Sequence, residues 1–315
     1  MSDLPPLLLG RLNHVGIACV SIDDAVAMYG RLFGATVSRA AFDLPAQGVR
    51  VAFIDVANSQ LELIEPLGDD SPINGFLKKN PNGGQHHVCF EVKDIIAARD
   101  ASGLLAAEAY MIVHHPQWIR ARELVQGGAI GQLRHIDAAF SYNNADDLQN
   151  IRNRPETGGG GIRDIGVYTY GSARFVSGGE GEDISCRMIR ENGVDVWAQL
   201  DGIMSGPLGR ATYSAMTSMR LQNRQEVTFH GDKGLLKVAN GPFNANLFAE
   251  ARIELHNGQT ITSERWPDAN HYKLQVENFG RSIRTGAAYP CPLEFTIGTQ
   301  RMIDRAFEVA RDISL

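Results

Sequence analysis

With 315 residues, 43% of them apolar, the chain is long enough for about two domains with separate cores. Thirty Lys and Arg against 36 Asp and Glu give a formal charge of −6, which argues against a polyanion surface or a polybasic anchor; no nucleic acid and no membrane partner is expected. No apolar run reaches the ~20 residues of a transmembrane helix, Met1–Gly10 lacks a basic stretch before Leu7–Leu9, and Cys19, Cys89, Cys186 and Cys291 form no C-x-x-C pair, so a cytoplasmic chain with reduced core thiols is expected.

The first predicted strand, Leu12–Ala18, is echoed 73 residues later by Gln85–Val92. In each a His opens an alternating apolar run, and a helix-like stretch follows, Asp23–Phe33 in one case and Asp94–Asp100 in the other. Strands over Ala35–Ala40, Val49–Val56 and Gln60–Glu65 complete a first βαβββ unit. After the second helix the spacing is lost, so the second unit is truncated. Next come a short strand over Leu104–Val113 and a helix over Pro116–Gln126, with Trp118, Leu124 and Val125 at helical spacing. The run Gly158–Gly161 reads as a tight turn before a helix over Asp164–Val176. Strands follow at Asp195–Met204, Arg210–Arg220, Glu226–His230, Leu235–Ala239 and Arg252–His256, with Asn257-Gly258 as a hairpin turn. Amphipathic helices over Asn270–Thr285 and Thr296–Ile313 close the chain. The expected fold class is α+β: one complete and one truncated βαβββ module, then an open mixed or antiparallel sheet with helices, and no Rossmann domain.

The segments LNHVGIA, NSQLELIEPLGDDSPINGFLKKNPNGG and HHVCFEV resemble methylmalonyl-CoA epimerases of the vicinal-oxygen-chelate (glyoxalase) superfamily, over about residues 11–100. The resemblance implies paired βαβββ modules cupping a divalent metal, Co, Mn or Zn, with His14, Glu62 and His87 as ligands and an acyl-CoA thioester as substrate. Metal bound at the thioester oxygen would stabilise the enolate left by proton removal from the neighbouring carbon. A single strand His is ordinarily a hydrogen-bonded core residue. Two at equivalent positions of a repeat, with Glu62 in the otherwise apolar strand Leu61–Ile64, favour a metal site, since a buried carboxylate without a partner is costly. Gln60, two residues away on the same face, is a weaker alternative ligand, and His86 a flanking residue. The resemblance also implies a fourth ligand and a proton-transfer carboxylate on the last strand of the second module, which this sequence lacks.

From about Ile96 onward, AEAYMIVHHPQWIRARELVQGGAIGQLRHIDAAFSY and NIRNRPETGGGGIRDIGVYTYGSARFVSG resemble the C-terminal domain of the glucose-fructose oxidoreductase and inositol dehydrogenase (Gfo/Idh/MocA) family. In that family a Rossmann domain binds NAD(P), and this second domain holds a sugar or polyol and builds the oligomer. The resemblance implies His115, Arg152 and Arg154 as substrate-binding positions and Asp164 and Tyr168 as catalytic ones. Arg and Asp can bond sugar hydroxyls in fixed geometry, and Tyr168 can pass a proton to a carbonyl oxygen. Neither G-x-G-x-x-G nor a P-loop occurs; Gly158 and Gly160 have the first spacing, but Arg163 stands at the sixth position, so NAD(P) is not expected.

The two resemblances meet within Ile95–Asp100 without a polar linker, which suggests a crossover in a shared helix, with domains at 1–98 and 99–315. Relatives are then expected to match one half each, and both activities to be impaired. The truncated module leaves an open sheet edge, and a homo-oligomer is expected to cover it. Three functions stay open: an acyl-CoA epimerase, a sugar-type oxidoreductase, and a non-catalytic binding protein.

Overall fold

A computed structural model describes residues 9–314; the Leu7–Leu8 part of the opening apolar stretch lies outside them. The chain divides into two units after Leu104.

The first unit runs β1 (Leu9–Ala18), α1 (Ile22–Phe33), β2 (Thr36–Leu44), β3 (Val49–Val56), β4 (Ser59–Pro66), α2 (Asn74–Lys79), β5 (Gly84–Val92) and α3 (Ile95–Ser102). Its five strands form one sheet in the order β2-β3-β4-β1-β5, with β1 parallel to β4 and antiparallel to β5. Local chemistry sets the helix ends. Ser21 Oγ accepts from Asp24 N–H at 3.2 Å, Asp23 and Asp24 sit at the positive end of the α1 dipole, and Gly34 closes α1 in the left-handed region. Asp94 caps α3 in the same way through the amides of Ile96 and Ala97. Ile22, Ala25, Ala52, Ile54 and Leu63 pack α1 onto one sheet face, each large aliphatic contributing about 1.5–3 kcal/mol on burial. The helix α3 lies wholly within the first unit, so the expected boundary at residue 98 falls inside it.

In the second unit, α4 (Pro116–Gln126), β6 (Leu133–Asn143), α5 (Val167–Ser177), β7 (Glu180–Glu191), β8 (Val194–Gly206), β9 (Gly209–Ser218), β10 (Arg220–Gly231), β11 (Leu235–Ala239), β12 (Ala251–Asn257), β13 (Thr260–Trp266), α6 (His271–Thr285), α7 (Leu293–Glu308) and β14 (Ala310–Asp312) follow in order. The nine strands make one mixed sheet, β13-β12-β11-β10-β6-β9-β8-β7-β14, parallel at β6/β9 and β14/β7. Trp118 of α4 stacks on Phe243, which stacks on Phe140 of β6, and these rings lie in the core between helices and sheet.

Several sequence expectations are corrected here. Leu104–Val113 is not a strand: it holds one bridge, Ala107 to Pro292, and runs into a 3₁₀ turn at Met111–His114, because Tyr110, Met111, Ile112 and Val113 are buried in succession instead of alternating, while Leu104 is exposed. The helix after the glycine run starts as a π-helical turn, Ile162–Gly166, before α5. The last helix ends at Glu308 and its expected tail pairs with β7 as β14.

Candidate functional site

In the first unit three adjacent strands converge on one point. Gly16 of β1 stands opposite Glu62 of β4 and opposite His87 of β5, and His14 precedes it by two residues on the same face. Space for the convergence comes from the missing side chain: a Cβ on Gly16 would lie 2.2 Å from Cε1 and 2.3 Å from Nδ1 of His87. His87 Nε2 is 3.1 Å from Glu62 Oε2 and 3.2 Å from His14 Nε2, and His14 Nε2 is 3.6 Å from the same carboxylate oxygen. One ligand atom from each residue falls within 4.8 Å of the others.

Three lone-pair-bearing atoms at this separation call for a shared positive charge. One proton serves one pair at a time, whereas a divalent ion serves all three. Donors ~2.1 Å from one ion stand about 3.0–3.4 Å apart for octahedral to tetrahedral angles, close to the spacings seen, and two imidazoles with one carboxylate suit Co, Mn or Zn. The residues therefore fit such an ion. The surroundings orient the donors. His14 Nδ1 bonds Asn13 Oδ1 at 2.9 Å, Asn13 Nδ2 donates to Glu91 Oε1 at 3.1 Å, and Arg11 holds the same oxygen at 2.9 Å. A proton on His14 Nδ1 leaves the Nε2 lone pair facing the cluster. The hydrogen bonds from Arg11 and Asn13 keep the Glu91 carboxyl below its usual range. Gln60 is turned away, donating to Ser38 and Asp55, and His86 bonds the far nitrogen of His87 at 3.1 Å.

In the second unit a cavity of about 330 Å³ is lined by Arg152, Asp164 and Tyr168 together with Tyr142, Gln225 and Tyr272, among others. Arg152 Nε bonds Asp164 Oδ1 at 2.6 Å, and Tyr142 OH donates to Asp164 Oδ2 at 2.7 Å. Asp164 therefore offers its remaining lone pairs in a fixed direction, and the Arg152 charge is balanced on the spot. Burial, with Tyr272 and Asp164 nearby, pushes the Tyr168 phenol up to about 12; its hydroxyl donates to the Met111 thioether at 3.7 Å. Burial and the Asp164 carboxylate also raise Tyr142. Gln225 is 7% exposed, and its Oε1 has no partner among the described residues.

Of the positions expected from sequence, Arg152, Asp164 and Tyr168 come together at this cavity, and His115 and Arg154 do not line it. His115 is fully buried at the start of α4, where Nδ1 accepts from Gln117 N–H at 3.2 Å; Arg154 pairs with Glu156 at 2.7 Å. Sequence reasoning missed Tyr142 and Gln225. Alternation along β6 and β10 would have found them: Phe140 and Tyr142 share a face of β6, and Gln225 is the register partner of Phe140.

Comparison with known proteins gives two matches along the chain. Residues 13–113 match the Glyoxalase/Bleomycin resistance protein/Dioxygenase superfamily, and residues 118–237 match the GFO/IDH/MocA C-terminal domain. The ethylmalonyl-CoA/methylmalonyl-CoA epimerase of Cereibacter sphaeroides is 54% identical over 93 residues, covering 30% of this chain and 69% of that protein. An uncharacterized oxidoreductase, ORF334 of Rhizobium meliloti, is 32% identical over 70% of this chain and 69% of its own length. D-xylose 1-dehydrogenase (NADP(+)) 2 of Haloferax volcanii is 28% identical over 96% of this chain and 97% of its own length. Among solved structures, the aldose-aldose oxidoreductase of Caulobacter crescentus complexed with glycerol aligns with TM-score 0.60 and 22% identity over 68% of this chain. The 3-ketoreductase KijD10 of Actinomadura kijaniata, in complex with NADP and TDP-benzene, aligns with TM-score 0.59 and 22% identity over 70% of this chain and 67% of its own. The chain spans 64% of the length of the aldose-aldose oxidoreductase.

These likenesses correct two expectations. The fold class was expected to be α+β with no Rossmann domain, but the second unit shares its mixed sheet and helices with oxidoreductases of a fold that normally carries one. The expectation that NAD(P) plays no part falls with it, because KijD10 is complexed with NADP and the D-xylose dehydrogenase is named for NADP(+). The missing G-x-G-x-x-G was a weak reason: the fingerprint is one way to build the phosphate turn, whereas the groups that hold a pyrophosphate are backbone amides at a helix start. The D-xylose dehydrogenase also aligns across Ile95–Asp100, where relatives were expected to match one half each.

Proposed function

Because the chain belongs to the glyoxalase superfamily through its N-terminal part and to the Gfo/Idh/MocA oxidoreductases through its C-terminal part, we propose that it joins a divalent-metal module for acyl-CoA thioesters to a module that holds a sugar or polyol. The convergence of His14, Glu62 and His87 on one point carries the first half. When bound there, a divalent ion supplies Lewis acidity toward a thioester oxygen. The chain's own residues do the rest: the two imidazoles and Glu62 hold and neutralise, and Asn13, anchored by Glu91, fixes the His14 tautomer. Three ligands form this group among the described residues, so we infer slow epimerase turnover, with a second copy of the chain completing the site in a homo-oligomer. With Co(II) added, methylmalonyl-CoA in D₂O is expected to gain deuterium next to the thioester slowly, and Glu62→Gln to abolish the gain. Bound metal without exchange in the unmutated protein would leave a binding role in place of an enzymatic one.

The Arg152–Asp164–Tyr142 cluster beside Tyr168 favours a second reading, oxidation or reduction of a sugar in the second unit. NADP would take or supply the hydride. Raised to about 12, Tyr168 keeps its proton at neutral pH and can donate it to a carbonyl oxygen. Tyr168→Phe is expected to lower kcat for NADPH-dependent reduction of D-xylonolactone, where hydride goes to the carbonyl carbon and the Tyr168 proton to its oxygen, by roughly 10²–10⁴-fold, with KM little changed. An unchanged kcat would remove Tyr168 from the chemistry, and no turnover by the unmutated protein would remove this reading for that sugar.

A further inference from the structure

The glycine run Gly158–Gly161 connects the two charged groups of the cavity. Gly160 N–H donates to Arg152 O at 2.9 Å, Gly159 N–H donates to Arg154 O at 3.1 Å, and Asp164 N–H reaches Gly160 O at 3.3 Å. Side chains are excluded: a Cβ on Gly159 would lie 2.5–2.7 Å from the carbonyl oxygens of Ile151, Arg152 and Arg154. Gly160, at φ +122°, leaves space for a carboxylate, since its Cβ would lie 2.2 Å from Asp195 Oδ1.

Asp195 is 1% exposed on β8, and its Oδ2 accepts from Ile162 N–H at 2.7 Å, in the first residue of the π-helical turn that carries Asp164. We propose that Asp195 is the positioning residue of the cavity: its carboxylate clamps the glycine run and the start of the π-helical turn, so that Asp164 meets Arg152 and Tyr142. The assignment rests on reading the cavity as a ligand site. The buried carboxylate has a partner here in the Ile162 amide, which stands in the first helical turn and has no carbonyl acceptor within the helix. Burial raises the Asp195 carboxyl to about 6, against the lowering effect of its hydrogen bonds to the Ile162 and Asp195 amides and of Arg190 on β7 and Arg163 on the π-helical turn; Tyr170 of α5 and Cys186 of β7 also face it.

Hydrogen exchange on the full chain without ligand tests the clamp, so its failure leaves the ligand-site reading standing. In Asp195→Ala the amides of residues 160–164 are expected to exchange about tenfold faster or more while those of β9 stay within about twofold, and Asp195→Asn, which keeps an acceptor, is expected to fall between. In the unmutated protein the protection of residues 160–164, corrected for intrinsic rate, is expected to change through pH 6 and to be flat in Asp195→Asn. Unchanged exchange at 160–164, a uniform rise across both segments, or the same pH course in Asp195→Asn would overturn the clamp.

Discussion

His87→Ala is expected to weaken Co(II) binding by more than ~100-fold, because the loss of a supporting residue alone typically costs 10–100-fold and this substitution removes a donor. Gly16→Ala is expected to act in the same direction although residue 16 supplies no ligand. Its new methyl would overlap the His87 ring, 2.2 Å from Cε1, so either the ring leaves the cluster or the strand shifts. Overpacking of this kind costs about 1–3 kcal/mol of stability. Titration calorimetry with Co(II) measures the affinity, and urea unfolding of the same samples separates displacement of His87 from loss of fold. Normal affinity in both variants would mean that the three-strand cluster does not hold the ion.

Acid is expected to destabilise the second unit well above the pH at which ordinary carboxylates titrate. His114, His115 and His271 are 2%, 0% and 1% exposed, and burial lowers each from 6.5 to about 4. For His115 the neighbouring His271 ring adds to the effect. Neither nitrogen of His271 has a hydrogen-bond partner among the described residues, nor does Nε2 of His114, while a backbone hydrogen bond at Ala269 partly offsets the lowering at His115. In the folded protein these rings are neutral, while in the unfolded chain they take up protons below 6.5. Stability is therefore full above pH 6.5, falls as the pH drops toward 4, and levels off below it. Each ring accounts for about 3 kcal/mol over that window, an order-of-magnitude figure. Asp195 acts in the opposite sense, because its raised carboxyl favours the protonated folded form below pH 6. Three rings outweigh one carboxyl. His271→Phe removes a titrating group and two unpaired nitrogens, so it is expected to be neutral or stabilising at pH 7 and to make the acid fall shallower. Urea midpoints at pH 7, 5.5 and 4.5 decide this; an equally steep fall in the variant would contradict it.

The legible parts of the sequence were those where one residue type answers one local demand. The short apolar run Val49–Val56 reads as a strand because Val49 and Val51 enter a core on one face and Ala52 and Ile54 a core on the other, and Ser21 and Asp94 mark helix starts because their oxygens satisfy free amides. The repeat of a strand His 73 residues apart placed His14 and His87 together, since β1 and β5 are antiparallel neighbours. What stayed hidden depended on long-range register. Alternation puts Tyr142 on one face of β6, but that Gln225 lines the same cavity follows only from the β6/β10 pairing, and β14 forms only because β7 offers it an edge. His115 has the composition of a site residue, yet its ring is spent on capping α4. The dinucleotide expectation failed for a related reason: a glycine spacing reports one turn, not the ability of a fold to hold a cofactor.

X-ray absorption at the Co edge, on protein loaded with Co(II) and dialysed, is the most direct test. The prediction is one Co per chain with two imidazole nitrogens and carboxylate oxygen in its shell, and loss of one nitrogen in His87→Ala. Protein that retains no Co, or Co in a shell that His87→Ala leaves unaltered, would contradict the assignment.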